Sequence, residues 1–182
     1  LEAAYLWLAG RPDVDATRIS VLGTSMGAGV ALASTAQLAP LGLRSIVAFA
    51  PPLDYAPLLD RRLRLLGPLT PVAHGIVRLV AHGLGQVSPL ELSPERAYEA
   101  GPPVPVLLFQ GDADRTIPLD GARALAAHSP RVELRVLPGV GHDDIPAAVL
   151  ADRDARRRVL RFLRTNRLVH QHPDEASAPD ED

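Results

Sequence analysis

The sequence predicts an α/β domain built on a mostly parallel sheet with helices on its flanks. Three observations carry that expectation. Short apolar runs of strand length alternate with Ala- and Leu-rich stretches of helix length over most of the 182 residues. The runs Leu43–Ala50 and Val104–Gln110 are continuously hydrophobic rather than alternating, as in parallel strands covered on both faces. A glycine-bounded turn, Gly23-Thr24-Ser25-Met26-Gly27, joins the first such run to a helix.

The elements follow in order. Leu1 to Ala9 places Leu1, Ala4, Tyr5 and Leu8 on a helical repeat, which Gly10 and Pro12 stop. Asp13 to Thr17 is a turn leading into a strand over Arg18–Leu22, and Met26–Leu38, free of proline, reads as one helix. Leu43–Ala50 is the second strand, ended by Pro51-Pro52. Residues 52–103 then leave the strand–helix rhythm and read as a helical cap insertion over one end of the sheet. It carries amphipathic stretches at Leu58–Leu66 and Val72–Leu84, and proline-rich connections including Ser88-Pro89 and Ser93-Pro94. His74 and His82 read as part of a half-exposed helix face, and Asp54 as a cap at the start of the excursion. The rhythm returns with a strand at Val104–Gln110, a helix at Leu119–His128, a strand at Val132–Leu137 and a terminal helix at Arg153–Leu168. That last helix is expected to turn Val159, Leu160, Phe162 and Leu163 inward. Residues 169–182 are polar and acidic and read as a disordered tail after a domain spanning 1–168.

Composition removes whole classes of chemistry. The formal charge of −2 gives no surface suited to phosphate backbones, so no nucleic-acid partner is expected. No apolar run approaches the ~20 residues of a membrane helix. All 19 basic residues are arginine, which excludes Schiff-base, Ser-Lys and phosphate-loop lysines. Cysteine is absent, which excludes thiol catalysis, disulfides and thiolate-bound zinc. Neither a cofactor nor a metal is expected.

The turn at 23–27 fits the pattern G-x-S-x-G, in which a strained strand-to-helix turn lifts a serine clear of the sheet. Side chains at Gly23 and Gly27 are expected to collide with neighbouring backbone. A serine hydroxyl needs a base within reach and a group that orients the base. In a parallel sheet, such partners stand in loops after the strands' carboxyl ends. Asp114 follows the third strand and His142 the fourth, so the order is Ser25, Asp114, His142. Competing readings stand beside these: Ser25 as a helix N-cap, Asp112 as the acid rather than a turn residue, and His142 as an ordinary loop histidine. Asp143 and Asp144 read as solvated or capping the next helix.

The approach Asp13-Val14-Asp15 through Arg18-Ile19 to the elbow, the loop Gln110-Gly111-Asp112-Ala113-Asp114-Arg115-Thr116-Ile117-Pro118 and the loop Pro138-Gly139-Val140-Gly141-His142 together resemble the α/β-hydrolase superfamily. The likeness is greatest to small bacterial serine hydrolases of the dienelactone-hydrolase and serine-aminopeptidase-like kind. The resemblance implies an α/β-hydrolase fold and cleavage of a small-molecule ester or amide. Ser25 would be the nucleophile, His142 the base, Asp114 the orienting acid and the Met26 N–H an oxyanion donor. Leu58, Leu59, Leu63, Val72, Ile76 and Leu79 hint at a hydrophobic acyl or alcohol group. Four strands are fewer than the family's sheet holds, and the chain opens on Leu1. It is therefore expected to be the C-terminal portion of a longer protein, lacking the second oxyanion donor and leaving its first strand as an exposed edge. A cytoplasmic location is expected, with any signal or anchor in the portion read as missing; oligomeric state stays open. A dinucleotide-binding reading of the Gly23 to Gly29 glycines fails on the absent lysine and on Pro51, where an acid is needed. A non-catalytic module of the same fold is the remaining alternative.

Overall fold

A computed structural model describes residues 1–84 and 93–166. The tail read over 169–182, the Ser88-Pro89 pair and the end of the terminal helix lie outside the described residues. Four parallel strands form one sheet in the order β1 (Val21–Thr24), β2 (Ile46–Phe49), β3 (Val106–Gly111), β4 (Val132–Leu137). Thr24 pairs with Phe49, Phe49 with Phe109 and Phe109 with Arg135, so all four carboxyl ends open on the same side. The helices are α1 (Glu2–Ala9), α2 (Met26–Ala33), α3 (Thr35–Leu38), α4 (Tyr55–Leu63), α5 (Thr70–Gly83), α6 (Pro94–Ala100), α7 (Leu119–His128), α8 (Ile145–Ala151) and α9 (Arg153–Thr165).

Every residue of β2 and β3 is buried, as their unbroken hydrophobicity requires. Alternation along the strands divides them between two faces. Ile46, Ala48, Val106 and Leu108 pack with Ala28 and Leu32 of α2, Tyr98 of α6 and Leu125 of α7. Val47, Phe49, Leu107 and Phe109 pack with Ile145 and Val149 of α8 and half-buried residues of α9. The Phe49 and Phe109 rings lie 5.5 Å apart, centroid to centroid. The result is a three-layer sandwich of helix, sheet and helix. On its outer side, Glu133 of β4 pairs with Arg158 of α9 and with Arg135. Burial pushes the Glu133 carboxyl up, but these guanidinium hydrogen bonds outweigh it and hold it below the usual carboxylate range.

Several expectations need correction. The first strand starts at Val21; Arg18 instead ends a 3-10 turn (Ala16–Arg18), because the Asp15 carboxylate accepts from the Thr17 N–H at 3.0 Å and its hydroxyl at 2.6 Å. The helix expected over Met26–Leu38 breaks at Ser34, whose hydroxyl donates to the Val30 carbonyl at 2.8 Å. The stretch expected as a helix to Leu66 gives way after Leu63 to a 3-10 turn (Arg64–Leu69), within which Gly67 takes a φ of 57°. Helix α6 falls where a proline-rich connection is expected. Pro94 stands in its first turn, where no N–H is needed, and Ser93 accepts from the Arg96 N–H. Leu160, expected inside, is 54% exposed.

On its outer side β1 pairs with no strand among the described residues, and Leu22 on it is 59% exposed. Beside it, Phe49, Val149, Leu150, Val159 and Leu160 line an apolar cavity of about 390 Å³. An open, apolar sheet edge is a template for pairing with another chain, and lysine blunts such edges. Leu22→Lys is therefore expected to lower the concentration-dependent mass measured by light scattering. An unchanged scattering profile would show that β1 does not self-associate.

Candidate active site

Ser25 sits between β1 and α2 with φ 49° and ψ −121°, a backbone region that non-glycine residues enter at a cost of order 1–3 kcal/mol. Three hydrogen bonds hold it there. Its N–H donates to the Phe49 carbonyl of β2 at 2.8 Å, and its carbonyl accepts from Ala28 at 3.0 Å and Gly29 at 3.1 Å. Ser25 occupies the N-cap position of α2, and its side chain makes no capping bond there.

The glycines around it differ in what they do. A Cβ on Gly23 would lie 2.7 Å from the Ala28 nitrogen, so the strand can pass the helix only as glycine. A Cβ on Gly27 would meet nothing within 4 Å, which corrects the expectation that both flanking glycines are sterically required. The tight glycine on the helix is Gly29, where a Cβ would come within 2.8 Å of the Tyr55 hydroxyl.

The Ser25 hydroxyl lies 2.9 Å from His142 Nε2, and His142 Nδ1 lies 2.7 Å from Asp114 Oδ2. Three loops separated by the sheet thus deliver one continuous hydrogen-bonded line. The Asp114 side chain is fully buried and its partners are all donors. Oδ1 accepts from the Thr116 and Ile117 N–H groups, each at 2.8 Å, and Oδ2 from Gln110 Nε2 at 2.9 Å as well as from the histidine. Gln110, fully buried, also donates to the Ile117 carbonyl at 2.9 Å, so it ties both ends of the loop to β3. The sequence reading missed Gln110; a buried amide at the end of an otherwise apolar strand was its one signal.

The carboxylate bonded to His142 is that of Asp114, while Asp112 is engaged elsewhere. Its Oδ1 accepts from the Gly139 N–H at 2.6 Å, a bond that pins the histidine loop to the acid loop. Gly111 makes that approach possible, because a Cβ there would overlap the Val140 carbonyl. Asp143 and Asp144 are exposed, and Asp144 makes no capping bond to α8. Asp54 does cap α4, accepting from the Ala56 N–H at 2.9 Å. His82 is exposed, while His74 lies 3.4 Å from Asp60, away from Ser25's partners. In the first turn of α2 the Met26 N–H has no backbone acceptor among the described residues, as helix geometry dictates.

Beside Ser25 and Met26 opens a cavity of about 410 Å³, walled by Pro52, Tyr55, Leu58, Leu65, Ile117 and three arginines, Arg61, Arg62 and Arg115. Burial pushes the Tyr55 hydroxyl pKa above its ordinary value, so this phenol stays protonated. Of the apolar residues read as a hint of substrate, Leu58 alone is on this wall; Val72, Ile76 and Leu79 are 55–72% exposed on α5. Among the described residues no group of three or more His, Asp or Glu side chains is placed to hold a metal, and no helix is long and apolar enough to cross a membrane.

Steric necessity gives a test. Gly23→Ala and Gly111→Ala, each forcing a Cβ into backbone, are expected to cost at least about 1–3 kcal/mol and lower the melting temperature. Gly27→Ala, in open helix, is expected to leave it unchanged or raise it slightly. Equal losses at Gly23 and Gly27 would contradict the packing described.

No protein-family model matches the chain. Curated proteins from two strains of Mycobacterium tuberculosis, each named as uncharacterized, are 30% identical over 171 residues, covering 93% of this chain and 53% of theirs. The chain thus spans about half the length of the curated relatives it matches. Among solved structures, the α/β hydrolase GrgF of Penicillium sp. sh18 superposes with a TM-score of 0.64 at 21% identity, over 90% of this chain and 69% of that one. A thermophilic esterase of Thermogutta terrifontis superposes with a TM-score of 0.62 at 23% identity, over 90% and 62%. Likeness at these identities is likeness of architecture, and together with the parallel sheet and its flanking helices it shows that this chain has the α/β-hydrolase fold.

Proposed function

We propose that the chain is the Ser-His-Asp-bearing part of a serine hydrolase that cleaves a carboxylic ester or amide. The observation that carries the reading is the line Ser25 Oγ, His142 Nε2, His142 Nδ1, Asp114 Oδ2, with steps of 2.9 and 2.7 Å. A neutral histidine so placed accepts the serine proton as the hydroxyl oxygen adds to the substrate carbonyl. Asp114, buried and fed by backbone and Gln110 donors, keeps Nδ1 protonated and stabilises the imidazolium. The Met26 N–H, lacking a backbone acceptor, is free to donate to the tetrahedral oxyanion; a donor of this kind typically carries ~100- to 1000-fold in turnover. Collapse of the intermediate breaks the bond to the leaving group, which takes its proton from His142 and leaves an acyl-serine. Water then adds with its proton passing to His142, and the acid departs as Ser25 regains its hydrogen. The esterases among the structural neighbours support the same reaction type.

Labelling with a fluorophosphonate, read by intact mass, tests the reading. One adduct is expected, absent from Ser25→Ala, whose ester turnover should fall by about a millionfold. No adduct on a folded chain, or an adduct that survives Ser25→Ala, would overturn it. Gln110→Leu is expected to lower kcat by about 10-fold with little change in KM, because Gln110 acts by positioning Asp114. Loss of thermal stability with kcat unchanged would assign it a purely structural role.

A further inference from the structure

The wall of the cavity beside Ser25 carries more charge than the hydrolase reading explains. Arg61 and Arg62 come from α4 and Arg115 from the loop that holds Asp114, yet all three line a cavity that Ser25 also lines. No carboxylate lines it, and none of the ion pairs among the described residues involves these three side chains. The acid nearest in sequence, Asp60, is engaged elsewhere, at 2.6 Å from Arg64 and 3.4 Å from His74. Arg61 Nη1 donates to the Arg115 carbonyl at 3.3 Å, which ties α4 to the loop that holds Asp114. The same cavity is also lined by the apolar Pro52, Leu58, Leu65 and Ile117 and by Tyr55 and Thr116.

Three exposed arginines lining one concave, partly apolar wall suit a ligand that carries both an apolar portion and an anionic group. Arginine's planar fork matches a carboxylate with two parallel hydrogen bonds. A cavity of about 410 Å³ accommodates a group of small-molecule size. We propose that the hydrolase site selects esters whose cavity-filling portion carries a carboxylate, held by Arg61, Arg62 and Arg115. The proposal rests on the serine-hydrolase reading for its chemistry and revises the purely hydrophobic substrate that the excursion's leucines suggested.

Two matched ester pairs test it on the chain and on Arg62→Gln and Arg115→Gln. Mono-4-nitrophenyl glutarate against 4-nitrophenyl valerate places the charge on the acyl side; 4-acetoxybenzoate against its methyl ester places it on the alcohol side. In one pair or the other the anionic ester is expected to lead in kcat/KM by about 10-fold at low salt, a lead that added salt erodes. Each arginine substitution is expected to reduce the anionic-to-neutral ratio, and Arg62→Glu to reverse it. Neutral esters favoured in both pairs, or ratios unmoved by all the substitutions, would overturn the proposal while leaving the hydrolase reading intact. If instead Ser25 takes no fluorophosphonate and no ester is cleaved, the hydrolase reading fails and calorimetry decides the anion site alone. Monomethyl glutarate is then expected to bind the chain and not Arg62→Gln, and absence of binding would overturn the proposal.

Discussion

The hydrogen bond from the Ser25 N–H to the Phe49 carbonyl joins a serine held at positive φ to the fully buried strand pair β2 and β3. A positive φ at a serine persists only when its surroundings over-determine it. Here the surroundings are β2 and β3, buried on both faces in a close-packed core. Gly23 lets β1 pass under the first turn of α2, and the two carbonyl bonds from Ala28 and Gly29 close the turn. The strain at Ser25 is thus borne by the core, which leaves the half-buried hydroxyl directed at His142 at the sheet's carboxyl end.

Parallel pairing extends this control to the other two loops. Because all four strands run the same way, the segments after β1, β3 and β4 emerge on one side, and short tethers bring them into register. Gly111 admits the Val140 carbonyl, Asp112 fastens Gly139, and Gln110 fastens Asp114 and Ile117. The two Gln110 bonds are buried in low dielectric, where satisfied geometry is strongly preferred, while the Asp112–Gly139 bond lies at the exposed rim. The proposed acid–base line therefore has its distances set by backbone packing, with its side chains following.

The segment after β2 contributes in another way. Helix α4 supplies one wall of the cavity, and Gly29 lets it approach α2 closely enough for Tyr55 to stand 3.5 Å from the Met26 carbonyl. Reactive geometry comes from the strand ends, whereas the character of the space in front of Ser25 comes from α4 and the acid loop. An arrangement of this kind allows substrate preference to change without disturbing the reacting groups.

The sequence by itself determined the elements whose signals are local: the buried strands 43–50 and 104–110, the G-x-S-x-G turn and the order Ser25, Asp114, His142. Such features depend on hydrophobic runs and turn residues that act over a few positions. It misplaced what local competition decides, such as Arg18 drawn into a 3-10 turn by Asp15, and it read Pro94 as a breaker where it opens helix α6. Tertiary structure alone decided the rest. Ser25 and His142 are 117 residues apart, and no pattern in the chain says that Gly27 is spacious while Gly111 is crowded. Nor does any say that Gln110 reaches Asp114, or that Arg61, Arg62 and Arg115 share one wall. Those facts arise from close approach between distant segments, and close approach is a property of the packed core.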